Sequence, residues 1–161
     1  MEALSLWLHQ TIAGKILITL FSSMLPIIEL RGGVPVGVAL GLPIPVAFTA
    51  ALIGNMIPVP FILLFARRVM KWVKTHIAFF RRLIEKIEER AWAKSEQVLK
   101  YEVWGLLLLV AIPLPGTGAW TGSLVAALLD LRLKKAVPTI FAGVVIAGII
   151  TTLITYGVIL L

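Results

Sequence analysis

Two charged residues, Glu29 and Arg31, stand within an otherwise apolar part of the chain, in the segment PIIELRGGVP. A carboxyl group can carry a proton, and a guanidinium presents a fork of N–H donors to an anion. A charge inside a bilayer costs about 2.5–3.5 kcal/mol on insertion scales, so an ionisable residue at membrane depth is a candidate for function. We predict Glu29 as a proton-coupling acid and Arg31 as its partner and an anion contact. Mutual charge pairing is the alternative interpretation.

Glycines and prolines beside these charges, and again later in the chain, predict two broken helices. Gly32 and Gly33 allow the backbone to turn and leave N–H groups that an anion at a helix N-terminus can use. The later segment, PLPGTGAWTG, cannot continue a helix, and its threonines and tryptophan offer side-chain donors. The candidate residues of this second tip are Pro113, Pro115, Gly116, Thr117, Gly118, Trp120 and Thr121.

Asn55 is an amide placed in a long apolar run beside Pro58 and Pro60. In lipid such an amide needs a partner, so a helix–helix hydrogen bond is one role for it. Carbonyl groups freed by the prolines could also hold a cation or a proton carrier, which makes Asn55 a candidate site residue as well. Both roles stay open.

The composition indicates an integral membrane protein. Of its 161 residues, 60% are hydrophobic and 14% charged, with a mean hydropathy of +1.02, whereas soluble proteins are about half apolar and a quarter charged. There are no cysteines and two histidines, which excludes disulfides and thiolate sites and leaves too few ligands for a metal centre. We find no catalytic constellation and therefore predict neither an enzyme nor a cofactor.

The net charge of +7 is confined mainly to two connecting segments. Ten basic residues lie within residues 67–100, and three more are Arg132, Lys134 and Lys135. This distribution is typical of cytoplasmic loops under the positive-inside rule, and no phosphate-reading motif accompanies it. We expect a multi-pass protein of the inner, cytoplasmic membrane and no nucleic-acid partner.

The first half of the chain contains a charge-free stretch, residues 34–66, that exceeds the roughly 20 residues one span needs. Pro43 and Pro45 break it, because proline fixes φ and displaces the preceding residue from the helical region. The predicted parts are an arm at 11–30, a tip at 31–33, a returning arm at 34–40 and a full span at 45–66.

The second half repeats this order. Its predicted parts are an arm at 103–112, the broken tip, a returning arm at 119–129, a basic turn at 131–135 and a full span at 136–161. Because the first turn is neutral and the second basic, the turns should face opposite sides of the membrane. We predict an inverted repeat of two re-entrant helical hairpins, each followed by a transmembrane helix, with both termini outside. Ordinary kinked spans are the alternative.

The two halves, residues 1–66 and 103–161, are joined by a basic linker, residues 67–102, in one membrane domain. Apolar residues of the linker follow steps of three and four, which predicts an amphipathic helix. This stripe is Met70, Val73, Ile77, Phe80, Ile84, Ile87 and Ala91. The helix could lie in the inner interface or pair with a second copy; the basic residues favour the interface.

The motifs ELRG with Pro35, GN with Pro58 and Pro60, and PLPGTGAWTG together resemble the small multidrug export protein family. That family is similar, distantly, to the DedA/SNARE-associated membrane proteins, and the resemblance implies paired re-entrant hairpins and, by analogy, proton-coupled movement of a polyprenyl-phosphate lipid carrier. The second tip here lacks the arginines of the DedA pattern. The resemblance therefore does not extend to the binding of a lipid phosphate at this tip.

These observations predict a small secondary transporter with the two tips as its site. It would be proton-coupled and would export small molecules or translocate an anionic lipid carrier. Membrane lipids are the expected partners, and so few full spans predict a homodimer. The alternative is a membrane organiser that acts through its amphipathic helix without transport.

Overall fold

A computed structural model describes residues 10–76, 97–114 and 116–157, and its regular elements in these ranges are all helical. The helices are α1 (Ile12–Met24), α2 (Glu29–Ala39), α3 (Ile44–Met56), α4 (Pro58–His76), α5 (Gln97–Ala111), α6 (Ala119–Leu128) and α7 (Leu133–Thr152), which continues into a π-helical turn (Leu153–Gly157). The all-helical prediction is confirmed for this part of the chain.

The first helix break lies earlier than predicted. Helix α1 ends at Met24, and Leu25 is extended, with φ −74° and ψ 138°, because Pro26 disfavours the helical region for the residue before it. Residues 31–33, the predicted tip, lie inside α2. The predicted arm at 11–30 is therefore too long, and the next helix begins at Glu29, not at residue 34. The first tip is accordingly the break at residues 25–28.

The first long apolar helix comes close to its prediction. Gly41 forms the preceding turn with φ +85°, a conformation that glycine adopts without steric cost. Helices α3 and α4 meet at Ile57, just before Pro58, and together they supply an apolar segment, Ile44–Val69, long enough to cross a membrane. The predicted span was 45–66.

The second half matches the sequence more closely. Helix α5 ends at Ala111, the break covers residues 112–118, and α6 returns from Ala119 to Leu128. The second apolar segment, Leu133–Tyr156, begins three residues before the predicted span at 136. Residues 158–161 of that predicted span lie outside the described residues.

Helices pack against one another within each half, and the two halves also contact each other. Helices α1, α2 and α3 contact one another, and so do α5, α6 and α7, while α4 packs on α6 and α2 on α7. The shared core includes Leu30, Val34, Val110, Ile140 and Val144. Large apolar side chains such as Phe61 and Phe65 stay 69% exposed, which a bilayer tolerates and water does not. The fold is consistent with a membrane protein.

The predicted linker helix falls largely outside the described residues. Helix α4 continues through Arg67 to His76, and α5 begins at Gln97, so both ends of residues 67–102 are helical. The part of the apolar stripe between Ile77 and Ala91 is not described. The amphipathic linker helix stays a prediction.

Candidate functional site

The carboxylate of Glu29 lies at the N-terminus of α6, in the other half of the chain. It accepts a hydrogen bond of 3.3 Å from the backbone N–H of Trp120, in the first turn of α6. Glu29 is 8% exposed and has φ 48°, an uncommon conformation for a residue with a Cβ. A negative charge is favourable at this end of a helix, where N–H groups lack intrahelical acceptors. Glu29 therefore caps a helix that the chain reaches ninety residues later.

Gly118 makes this close approach possible. A Cβ placed on Gly118 would overlap the carboxylate of Glu29, with Cδ at 2.6 Å. Gly118 is buried, and it is the N-cap residue of α6. Only a residue without a side chain lets the carboxylate reach the α6 N-terminus in this geometry.

Arg31 binds at the C-terminus of α5, the helix end that leads into the second tip. Its guanidinium donates to the carbonyl oxygens of Leu114 and Ile112, the latter at 3.2 Å, and to Oγ1 of Thr117 at 3.2 Å. These carbonyls follow the end of α5 and also accept hydrogen bonds within the second tip, from the N–H of Leu114 and from the N–H and hydroxyl of Thr117. A cation is favoured at a helix C-terminus, and the guanidinium fork can serve several acceptors at once.

A third contact runs in the opposite direction, from the second tip to the first. The indole Nε1–H of Trp120 donates to the carbonyl oxygen of Met24 at 3.2 Å. Met24 is the last residue of α1, so its carbonyl is one of those left without an intrahelical donor. Each tip thus donates hydrogen bonds to backbone carbonyls at the helix break in the other tip.

A small cavity lies between the two tips. It has a volume of about 10 Å³, roughly the room of one water molecule. Glu29, Arg31, Asn55 and Gly118 line it, together with the apolar side chains of Leu30, Val110, Ala119, Val144 and Ala147. Asn55 is 2% exposed, and its Oδ1 has no hydrogen-bond partner among the described residues. The cavity therefore joins a carboxyl group to an acceptor that lacks a donor.

The match to a family model covers these elements. The model described as "Putative small multi-drug export protein" matches residues 29–150, from the capping carboxylate through the second tip and most of α7. The chain belongs to this family. No curated protein and no solved structure matches the chain. The small multi-drug export family is consistent with a membrane transporter, whereas the relation to DedA proteins stays a prediction.

The structure brings together about half of the predicted site residues. Glu29, Arg31, Thr117, Gly118 and Trp120 join the two tips, and Asn55 lines their common cavity. The remaining residues of the second tip shape its backbone: Pro113 lies in the break, Gly116 has φ +83°, and Thr121 donates to the Gly116 carbonyl at 2.8 Å. Pro115 lies outside the described residues.

Gly32 and Gly33 do not break a helix. The N–H of Gly32 donates to the carbonyl oxygen of Ile28 at 2.8 Å, within a continuous helical turn, so it is not free to bind an anion. A Cβ on Gly33 would overlap Ser23 and lie 3.2 Å from the Ala51 Cβ. The glycine lets α2 pack closely on α1 and α3, which is a structural role.

The charge pair predicted between Glu29 and Arg31 also takes a different form. No ion pair within 4 Å joins them among the described residues, because each side chain reaches a different helix end in the second tip, but the two charges still attract each other electrostatically. The helix–helix hydrogen bond predicted for Asn55 is not made through its Oδ1.

Sequence reasoning missed the backbone acceptors of the site. The carbonyls of Met24, Ile112 and Leu114 receive the donors of the opposite tip. Pro26 and Pro113 were the available signal, because a helix that ends just before a proline leaves its last carbonyls without donors.

Proposed function

We propose that this chain is a secondary membrane transporter whose site lies between the two tips, with Glu29 as the proton carrier. One observation carries the proposal: an ionisable carboxylate from one half caps a broken helix of the other half. Protonation would neutralise this cap and weaken its attraction to the helix N-terminus. The protonation state of one residue would then control how firmly the halves hold each other.

The architecture proposed for this activity is an inverted repeat of two re-entrant hairpins, each followed by a transmembrane helix. The same order of helix, break, helix and long apolar segment in both halves supports it. Contacts of α2 with α7 and of α6 with α4 place each returning helix against a long segment of the other half. Rocking of such halves around a central site is a common way to alternate access.

The charges of the two turns support a proposed orientation in the membrane. The turn at residues 40–43 is neutral, whereas Arg132, Lys134 and Lys135 are exposed around the start of α7. We place this basic turn and the linker in the cytoplasm and both termini outside the inner membrane.

Thiol labelling tests this orientation on the cysteine-free chain. In intact cells, a membrane-impermeant maleimide should label the Pro43→Cys variant and spare the Lys134→Cys variant until the membrane is permeabilised. Both positions are exposed, so reactivity reports the side of the membrane. Labelling of both variants in intact cells would exclude the inverted arrangement.

The proposed coupling rests on competition for Arg31. An anionic group of the substrate would attract Arg31 away from the carbonyls of Ile112 and Leu114 and loosen the second tip. A protonated Glu29 would meanwhile be a donor, and Oδ1 of Asn55 in the same cavity is an acceptor without a partner. Loading and proton uptake would then favour the same loosened state.

The proposed substrates are small amphipathic drugs or an anionic lipid carrier of the polyprenyl-phosphate type. Membrane lipids are the expected partners, because large apolar side chains are exposed along both long segments. We also propose a homodimer, for the reason given from the sequence. Only two apolar segments among the described residues are long enough to cross a membrane, and so few spans favour association with a second copy.

The test is proton-driven uptake by purified protein in liposomes, with anilinonaphthalene sulfonate as an anionic probe and ethidium as a cationic one. Glu29→Gln keeps the size of the side chain and an oxygen that can accept the Trp120 N–H. It should stay folded and bind the probe but lose uptake driven by a pH gradient. Glu102→Gln, which changes a carboxyl outside the tips, is the control and should transport normally. Full coupling in Glu29→Gln would make Glu29 structural.

A further inference from the structure

A large apolar groove runs along α4 from the second tip. It has a volume of about 930 Å³, within the range of roughly 300–1,000 Å³ seen for small-molecule sites. Pro58, Phe61 and Phe65 line it, Trp120 closes one end, and Arg67 and Arg68 lie at the other. At 1.5 Å per residue, the helix from Pro58 to Arg67 covers roughly 14 Å. The groove is therefore long, apolar and basic at one end.

The basic end contains donors that lack acceptors. Nε and Nη2 of Arg67 are buried and have no hydrogen-bond partner among the described residues. The nearest carboxylate oxygen, on Asp130, is 3.8 Å from Nε, and the Asp130 side chain is 83% exposed. This distance is too long for a hydrogen bond. A guanidinium stays charged in proteins, so Arg67 presents a positive charge at the mouth of an apolar groove that is compensated only by the 3.8 Å ion pair with the exposed carboxylate of Asp130.

We propose that the groove binds an amphipathic anion from the bilayer, with its phosphate at Arg67 and its apolar tail along Phe61 and Phe65 toward Trp120. Charge complementarity selects the head group: a rotation of the Arg67 side chain would bring Nε and Nη2, which are buried here and lack hydrogen-bond partners among the described residues, to the phosphate oxygens. The exposed aromatic rings select the tail, since they face the hydrocarbon region. A free phosphate ion would contact Arg67 but would leave the apolar residues of the groove uncovered, so an amphiphile fits better.

The groove leads directly to the candidate site. Trp120 lines the groove and also binds both partners in the first tip, through its backbone N–H to Glu29 and through its indole to the Met24 carbonyl. An amphiphile in the groove therefore lies against the residue that joins the tips. That the bound amphiphile is a substrate rests on the proposed function, but its binding can be measured without transport.

Quenching of Trp120 fluorescence measures occupancy of the groove. The protein used is the full chain with Trp7, Trp72, Trp92 and Trp104 each changed to Phe, in phosphatidylcholine vesicles. Brominated phosphatidylglycerol, an anionic lipid, should quench Trp120 at about fivefold lower mole fraction than brominated phosphatidylcholine, the preference that one arginine gives an anionic lipid. Excess inorganic phosphate should not remove the preference, because the tail supplies much of the binding.

Two variants of the charged end should act in opposite directions. Arg67→Gln should abolish the preference for the anionic lipid. Asp130→Asn removes the carboxylate that faces Arg67, and asparagine tolerates the positive φ of 48° at this position, so the preference should increase. Arg132→Gln removes an exposed arginine beside the same turn and controls for general attraction of anionic lipid; it should change nothing.

Equal quenching by the two lipids would overturn the proposal, as would a preference that survives Arg67→Gln or disappears with inorganic phosphate. Glu29→Gln separates this result from the transport hypothesis. If brominated phosphatidylglycerol quenches Trp120 in this variant as it does in the unmodified protein, but the variant does not transport, both proposals stand. If the unmodified protein shows the lipid preference without any proton-driven uptake, the groove is a lipid site and the transporter proposal fails alone.

Discussion

Gly118→Ala should leave a folded protein that has lost proton-coupled transport. The new Cβ would occupy the position of the Glu29 carboxylate, so the carboxylate must leave the N-terminus of α6 and give up the Trp120 N–H. The displaced carboxylate is the free end of a flexible side chain, so the fold can adapt, but the φ of +156° at Gly118 adds backbone strain; together we expect a loss of about 1–3 kcal/mol of unfolding free energy. Thermal unfolding in detergent and uptake in liposomes measure the two effects.

Gly116→Ala, where φ is +83° and a Cβ would meet no atom within 4 Å, controls for backbone strain in the same tip. Gly105→Ala controls for the added methyl group alone. A Cβ on Gly105, an exposed residue of α5, would meet no atom within 4 Å, so the same chemical change should be neutral or stabilise the helix by up to about 1 kcal/mol. Transport should be normal. Normal transport by Gly118→Ala as well would show that the contact between Glu29 and α6 has no role in coupling.

Arg31→Ala should destabilise the contact between the tips more than any other change of a charged side chain. It removes donors from the carbonyls of Ile112 and Leu114 and from Thr117. A hydrogen bond from a charged group contributes about 1.5–3 kcal/mol, and after the substitution the carbonyls keep only the donors of their own tip, Leu114 and Thr117. We expect a loss of about 2 kcal/mol or more, measured as the free energy of unfolding in mixed micelles.

Two further variants identify the cause of that loss. Arg132→Ala removes an arginine that is exposed and makes no cap through its side chain, so the unfolding free energy should change little. Arg31→Lys keeps the charge but not the fork that serves several acceptors, and should lie between Arg31→Ala and the unmodified protein. Equal stability of Arg31→Ala and the unmodified protein would contradict the capping role.

The second tip could be predicted from the sequence because its backbone signals act locally. Two prolines and two glycines within residues 113–118 cannot continue a helix, and the observed break covers residues 112–118. In the first tip the glycines suggested a break at Gly32 and Gly33, but one proline, Pro26, determines its position through Leu25. Glycine permits a turn without requiring one, and here it serves close helix packing.

The partners of Glu29 and Arg31 could not be predicted from the sequence. Their rarity in an apolar stretch marked them as functional candidates, and their closeness in sequence suggested a pair with each other. Backbone groups at two broken helix ends compete for the same side chains, and these groups have no sequence signature of their own. Which end each charge reaches depends on how α6 packs against α4 and how α2 packs against α7.

If the inverted-repeat hypothesis is correct, the contacts between the tips must break when the two halves move apart. An open helix end at membrane depth needs a donor or acceptor from protein or water. In this fold the Met24 carbonyl accepts from Trp120, and the Ile112 carbonyl accepts from Arg31 in addition to Leu114 and Thr117 of its own tip. Separation of the halves would expose these groups, so each access state must replace the lost contacts with water or substrate.

The most direct test of the account is a thiol crosslink between the tips. The chain contains no cysteine, so Glu29→Cys and Gly118→Cys can be combined without background. A mild oxidant, or a short bis-methanethiosulfonate reagent, should join these positions within one chain, detected as a linked peptide by mass spectrometry. The control pair, Glu29→Cys with Gly105→Cys, should stay unlinked. If both pairs stay equally reactive toward alkylation in the membrane, the tips do not meet and the proposed site does not exist.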